Sequence, residues 1–329
     1  NWNAGFSQDP HNPCGVYFGS QFLHYSKDCG QSWEIISPDL TTNDTSKQKP
    51  HLSGGLTLDA TNAENHTTIL AIAPSPKDAK VIWVGTDDGN LQLTRDGGKT
   101  WSEPIKLHEN WTGAIRDITE TKDGHVVFTT MMMRHNPGHH TVLTYTSADE
   151  GKSWKQSNVI DLGGIGHHSG VTESTLEEVK DGKLLMYMRT NWGSLWETIS
   201  TDNGLTWTDF KSTSIKASSA PALLTRLQSG RLMMLWNHNL PQGKNTFPLS
   251  GGDNNWSEVP VSNHRQELSI MFSNDEGMSW STPTVIAKTT KPKSQISYPY
   301  ALEKKPGEIW ITTMFGDLRM SLLESDFIK

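Results

Sequence analysis

The chain has 329 residues, enough for one large domain or two ordinary ones, with 20% charged and 34% hydrophobic residues, 28 glycines and 16 prolines. That mix favours a loop-rich all-β protein over a helical one. The net charge of −7 comes without a basic block, which argues against a nucleic-acid partner. No run approaches the roughly 18 apolar residues of a membrane helix, so no membrane span is expected.

The chain opens at Asn1 with neither methionine nor signal peptide, as a processed or trimmed product would. Cys14 and Cys29 are the only cysteines; they suffice for one staple or stay free, and lack the paired spacing of a cysteine zinc site. Asn-X-Ser/Thr triplets at Asn43, Asn65, Asn110 and Asn255 permit glycosylation.

One pattern then repeats along the chain. Ser/Thr-X-Asp-X-Gly-X-Ser/Thr-Trp starts at 26, 94, 147, 200 and 273, so successive starts lie 68, 53, 53 and 73 residues apart. Its chemistry is that of a tight turn: the Asp carboxylate accepts backbone N–H groups just ahead of it, and Gly supplies positive φ. The closing Trp is expected to pack between neighbouring sheets. Five of the 13 tryptophans hold this position, and the turns read as scaffold rather than as catalytic parts.

Short alternating stretches flank the turns, as at 81–85, 90–94 and 102–107. Four short strands in each 50–55 residues describe a β-propeller blade. The two long gaps hold polar, Gly/Pro/Asn-rich insertions at about 38–66 and 239–264. A last unit without the turn follows at 296–303, 308–314 and 318–323. The expected fold is all-β, a six-bladed β-propeller in one domain, with blades near 1–40, 64–110, 111–160, 168–212, 216–288 and 294–329.

The repeated turn is identified as the Asp box of the sialidase superfamily, which the chain resembles throughout. Residues 1–105, with "VYFGSQFLHYSKDCGQSWEIISPDLTTND" and "ENHTTILAIAPSP…VIWVGTDDG", are more similar to sortilin-type Asp-box propellers, mostly binding modules. Residues 111–329 are more similar to bacterial sialidases.

Label the strands of each blade A to D from the axis outward. The turn lies between C and D, so the starts of A, the ends of B and the D-to-A connections share the opposite face. That rule gathers Glu64, His66, Arg116, Glu173, Ser218, Ser219 and Tyr298 from A starts, and Gln21, Asp87, Asp88, Arg134, Arg189, His238 and Asp317 from B ends. Arg265 comes from a C start, and His135, His139, His140, His167 and His168 from connections. Charge near the axis is costly unless paired. The set reads as a pocket for an anionic ligand, or as groups that pair and hold the blades together. Trp192, Trp196, Trp236 and Trp256 lie near the same loops, either to stack on a sugar or to pack between blades.

The sialidase resemblance implies roles. Glu173 in "GVTESTLEEVKDGKLLMYMR", Arg189 at its end, Arg265 in "NHRQELSIMFS" and Tyr298 in "ISYPYALE" match the family's order. Tyr298 is then the nucleophile, Glu173 its base, and Arg189 and Arg265 the carboxylate clamp. The family's early Phe-Arg-Ile-Pro arginine and its general-acid Asp have no counterpart here. Either "GAIRDITETKDGHVVFTT" takes that place, making Arg116 the third arm, or that stretch is simply the third blade. The general acid is left among Asp87, His135 and the His-His pairs, His168 among them. Arg134, His135, Trp192 and His238 complete the expected substrate contacts.

The implied function is exo-hydrolysis of a terminal acidic sugar with retention, on an acidic oligosaccharide or glycoconjugate, in a secreted, periplasmic or cell-surface setting. The alternatives are a lyase or other glycosidase acting on uronic-acid glycans, and a non-catalytic carbohydrate- or peptide-binding propeller. No cofactor and no metal are expected, since His-His neighbours on a strand point to opposite faces.

Overall fold

A computed structural model describes residues 4–45, 67–104, 107–108, 112–113, 115–291, 294–316 and 318–328. Among the described residues the structure is all-β apart from two short 3-10 turns, and its six main antiparallel sheets are the blades of a β-propeller fold. Strand order within most blades follows chain order, with short turns joining many of the antiparallel neighbours. Backbone packing divides the chain into two compact units, 1–118 and 119–329.

The first unit holds blades 1 and 2. Blade 1 comprises Phe6–Gln8, Val16–Gly19, Leu23–Ser26 and Glu34–Ile35, with Cys14 and Cys29 joined in a disulfide. Blade 2 comprises Ile69–Pro74, Ile82–Thr86 and Leu91–Thr94. The strand expected over 102–107 is not formed at 102–104, and 105–106 lie outside the described residues. Ser102 nonetheless closes the blade edge, its N–H donating to the Leu93 carbonyl at 2.8 Å. Tyr17, Leu23, Leu40, Ile69, Ile72, Ile82 and Val84 form the buried core of this unit.

The second unit holds blades 3 to 6. Their long strands are Val126–Arg134 and His139–Ser147 in blade 3, and Val171–Glu178, Leu184–Thr190, Ser194–Ser200 and Thr208–Lys216 in blade 4. Blade 5 has Leu223–Arg226, Leu232–Trp236, Glu267–Ser273 and Thr284–Lys288, and blade 6 has Ser297–Lys305, Glu308–Phe315 and Arg319–Leu323. In blade 5 Leu232–Trp236 pairs with Glu267–Ser273 across a 30-residue gap, 237–266, that carries its own ribbon of Leu249–Gly251 and Pro260–Ser262. Central strands such as Leu184–Thr190 are buried on both faces, so they read as apolar runs rather than alternation.

All five repeated turns share one hydrogen-bond scheme. At the first, Asp28 Oδ1 accepts the Ser32 N–H at 2.8 Å and Oδ2 accepts its hydroxyl at 2.6 Å, while Ser26 Oγ donates to Asp28 and accepts the Gly30 N–H. These donors, the Ser32 hydroxyl foremost, hold Asp28 down at about 2. The residue before the glycine also takes positive φ in every copy, Cys29, Gly97, Glu150, Asn203 and Glu276. Glycine has a second cause besides φ. A Cβ on Gly98 would stand 2.4 Å from the Ile36 carbonyl oxygen, and one on Gly204 2.9 Å from Val127, so the turn abuts the preceding blade.

The closing tryptophans do not all fill the inter-blade role expected of them. Trp207 is buried and its indole donates to Thr144 Oγ1 of blade 3 at 2.8 Å. Trp33 is 45% exposed and donates back to its own turn at Gly30. The difference is in the neighbour: Trp207 has the blade-3 face to enter, Trp33 lies edge-on to Phe18 of its own blade.

Candidate active site

Four residues that are far apart in sequence converge in the second unit. Glu173 sits where the register of Val171–Glu178 against Leu184–Thr190 shifts between Thr172 and Ser174, a bulge that re-aims its side chain. Arg189 lies at the end of the partner strand, opposite Thr172. Tyr298, second residue of blade 6, is buried with φ +59, a conformation costly for an aromatic residue and typical of positions held for function. Its ring lies edge-on to Phe315, with centroids 5.7 Å apart.

The contacts form a closed set. Arg189 Nη1 donates to Glu173 Oε2 and, at 3.3 Å, to Tyr298 Oη. Tyr298 Oη donates to the same Glu173 oxygen at 3.4 Å. Arg189 Nη2 donates to Ser219 Oγ at 3.1 Å, and Arg265 Nη2 to the Ser219 carbonyl at 2.5 Å. Arg265 Nη1 reaches Gln295 at 3.3 Å, and the guanidinium carbon stands 5.8 Å from the centroid of the Tyr298 ring. Arg265 Nε is buried with no hydrogen-bond partner among the described residues.

Electrostatics favour an anion here. Burial lowers the Arg265 pKa, and the Arg189 cation works in the same direction against Tyr298 and Glu173. Burial also opposes the charge on Arg189, but the Tyr298 oxygen and Glu173 outweigh it and raise its pKa. Both guanidiniums stay charged at any physiological pH. Among the described residues of this unit the set holds two arginines and one carboxylate, an excess of positive charge in a partly desolvated place.

A histidine cluster borders the set. The rings of His140 and His167 are 5.5 Å apart, those of His167 and His168 4.8 Å, and that of His168 lies 5.5 Å from Trp256. Burial first, then Arg189, pushes His168 down to about 3; burial, then His167 and Arg189, brings His140 to about 4. Both imidazoles are therefore neutral at pH 7. The loop carrying His167 and His168 is fastened to the 237–266 insertion, whose Asn255 and Trp256 carbonyls accept their N–H groups at 2.8 and 2.9 Å. His139 turns away from its neighbour, pairing with Asp161 at 2.8 Å. Among the described residues no three His, Cys, Asp or Glu side chains are grouped to hold a metal ion.

The remaining expected residues have the following surroundings within their own units. Arg134 and His135 are exposed on the blade-3 hairpin, Arg134 facing Asp161 at 3.6 Å. His238 is half-buried, with its Nδ1 accepting the Leu240 N–H at 3.1 Å. Trp236 is 1% exposed in the blade-5 core and donates to the Lys216 carbonyl, so it packs rather than stacks on a ligand. Trp192 and Trp196 are half-buried and edge-to-face at 5.6 Å. Asp87 and Arg116 belong to the first unit. Asp87 accepts the Thr67 and Thr68 N–H groups at 2.9 Å each, and burial raises it to about 7; Arg116 is buried. Glu64, His66 and Asp317 lie outside the described residues.

Sequence reasoning passed over Gln295 and the bridging geometry of Ser219. The segment "ASSAPALL" offers no local signal for the latter beyond two adjacent small hydroxyl residues at a strand-A start.

Comparison with known proteins bears on the same region. The family described as "BNR repeat-like domain" matches residues 60–311. A sialidase of Bacteroides fragilis is 30% identical over 201 residues, covering 58% of this chain and 33% of that protein. An oligoxyloglucan-reducing end-specific xyloglucanase of Emericella nidulans is 23% identical over 205 residues, 57% of this chain and 25% of that protein. The chain thus spans a third or less of the length of these curated relatives. Among solved structures, the Hadza microbial sialidase Hz136 superposes with a TM-score of 0.64 at 16% identity, over 99% of this chain and 66% of that one.

Proposed function

The chain belongs to the BNR repeat-like domain family, and from that premise we propose that it is a glycan-active enzyme, a retaining exo-hydrolase that releases a terminal acidic sugar of sialic-acid type. The single observation that carries this reading is the Tyr298 hydroxyl, 3.4 Å from Glu173 and 3.3 Å from Arg189. A sugar whose reacting carbon bears a carboxylate would repel a carboxylate nucleophile; a neutral phenol avoids that repulsion.

In this mechanism Arg189 and Arg265 take the substrate carboxylate through charge-assisted hydrogen bonds. Glu173 accepts the phenol proton as Tyr298 Oη bonds to the anomeric carbon. The glycosidic C–O bond breaks, and the departing oxygen keeps the electron pair and takes a proton from solvent. Water then attacks the anomeric carbon of the glycosyl-tyrosine from the vacated side and gives a proton to solvent, while Glu173 returns its proton to the departing phenol oxygen, giving net retention. Tyrosine-nucleophile sialidases stand outside the two-carboxylate scheme in this way. The similarity to the B. fragilis sialidase supports the choice of sugar. The disulfide suits an oxidising location, secreted, periplasmic or cell-surface.

The test is hydrolysis of a methylumbelliferyl sialoside, whose leaving group needs no acid. Wild type is expected to turn over, and Tyr298→Phe to lose roughly 10³-fold or more in kcat. No turnover by wild type on sialosides overturns the reading. One observation favours a second reading: neutral His140 and His168 stand within electrostatic reach of Arg189. A neutral imidazole near a guanidinium suits proton abstraction beside a uronate carboxylate. An unsaturated, ultraviolet-absorbing product from acidic polysaccharides would select that lyase reading.

A further inference from the structure

We infer that Ser219 is a positioning residue that sets the separation of the Arg189 and Arg265 guanidiniums, and with it the preference for a carboxylate-bearing sugar over its uncharged counterpart. The inference rests on the functional reading above and names the residue that tunes its binding step.

The two arginines repel each other, and the carboxylate that pairs with Arg189, that of Glu173, is bound through Nη1 and leaves Nη2 to another acceptor. Arg189 Nη1 is committed to Glu173 and Tyr298. Its Nη2 goes to Ser219 Oγ, while Arg265 Nη2 goes to the carbonyl of the same residue. One residue thereby offers two acceptors to two cations, and the guanidiniums cannot shift independently of each other. A carboxylate bridging them needs such a fixed bite, because an oxyanion gains most from donors already in place.

Ser219 is itself fixed. It is 2% exposed, and its N–H donates to the Ser262 carbonyl of the 237–266 insertion at 2.9 Å. On either side the Ser218 N–H donates to the Asn237 carbonyl at 2.9 Å, and the Ala220 N–H to the Ser218 carbonyl at 2.7 Å. Insertion and clamp are thus one mechanical unit: the ribbon beyond blade 5 holds the serine, and the serine holds both arginines.

Ser219→Ala tests this, since alanine keeps the carbonyl acceptor and removes only the hydroxyl. The measurement is calorimetric binding of N-acetylneuraminate and of its methyl ester to wild type and variant, with melting temperatures alongside. Wild type is expected to bind the acid more tightly than the ester. The variant should narrow that gap by about tenfold, as expected for losing one hydrogen bond to a charged group, with melting temperature within about 2 °C. An unchanged gap, or equal losses for acid and ester, overturns the positioning role and leaves the functional reading standing. Wild type that does not prefer the acid overturns the functional reading, and this inference with it.

Discussion

In the first unit the carboxylate of Asp87 accepts backbone N–H groups from Thr67 and Thr68, and burial, with the Asp88 charge nearby, lifts it to about 7. In the second unit Glu173, also shielded from water, faces a guanidinium and a phenol. Asp87 follows the second strand of its blade, and Glu173 lies near the start of the first strand of its own. Asp87 is therefore poised to lose its charge, whereas Glu173 is paired with a cation. Position on the blade does not decide what a buried acid does; the partner delivered by the rest of the chain does.

The same contrast runs through the scaffold turns, where Trp207 is enclosed and Trp33 lies open. Removing the enclosed ring should have the largest effect: Trp207→Ala is expected to cost about 3–5 kcal/mol, read from the denaturant midpoint and from hydrogen exchange in blades 3 and 4. Next comes Glu173→Gln, which strands the Arg189 cation and should destabilise the second unit by about 3 kcal/mol by the same readouts.

Asp87→Asn works the opposite way. The folded carboxyl titrates near 7 and an ordinary Asp near 4, so the folded state binds the extra proton between these values. Stability from this group rises as pH falls from about 7 toward 4 and is lost as pH climbs past 7. The amide keeps an acceptor for both N–H groups and carries no charge, so the variant should gain about 1–2 kcal/mol at pH 8 and flatten that slope. A pH-independent change would show that the Asp87 environment has been misjudged. Trp33→Ala should move stability by less than about 0.5 kcal/mol; a loss like that of Trp207 would erase the contrast between the turns.

Much of the scaffold was legible because it is local. An Asp, a Gly and two hydroxyl residues at fixed offsets make a turn wherever they occur, and all five copies do. The blade-6 strands fall within a residue or two of expectation for the same reason, their alternation being enough to define them. The meeting of Glu173, Arg189, Arg265 and Tyr298 was also anticipated, through family resemblance rather than through any property of the residues alone. Arg134 and His135 satisfied the same geometric rule and yet lie exposed, since a long hairpin carries them into solvent.

By itself, then, the amino-acid order determined where the chain turns, which stretches extend and how many sheets they build, because those outcomes depend on contacts within a few residues. Tertiary structure alone decided which carboxylate meets a cation, which tryptophan is enclosed, and that a serine without any local mark ties two arginines together. Those outcomes depend on groups brought together from distant segments, as when Ser219 meets Arg189 and Arg265. Desolvation and hydrogen-bond partnership, which set their energies, exist only once the sheets have packed.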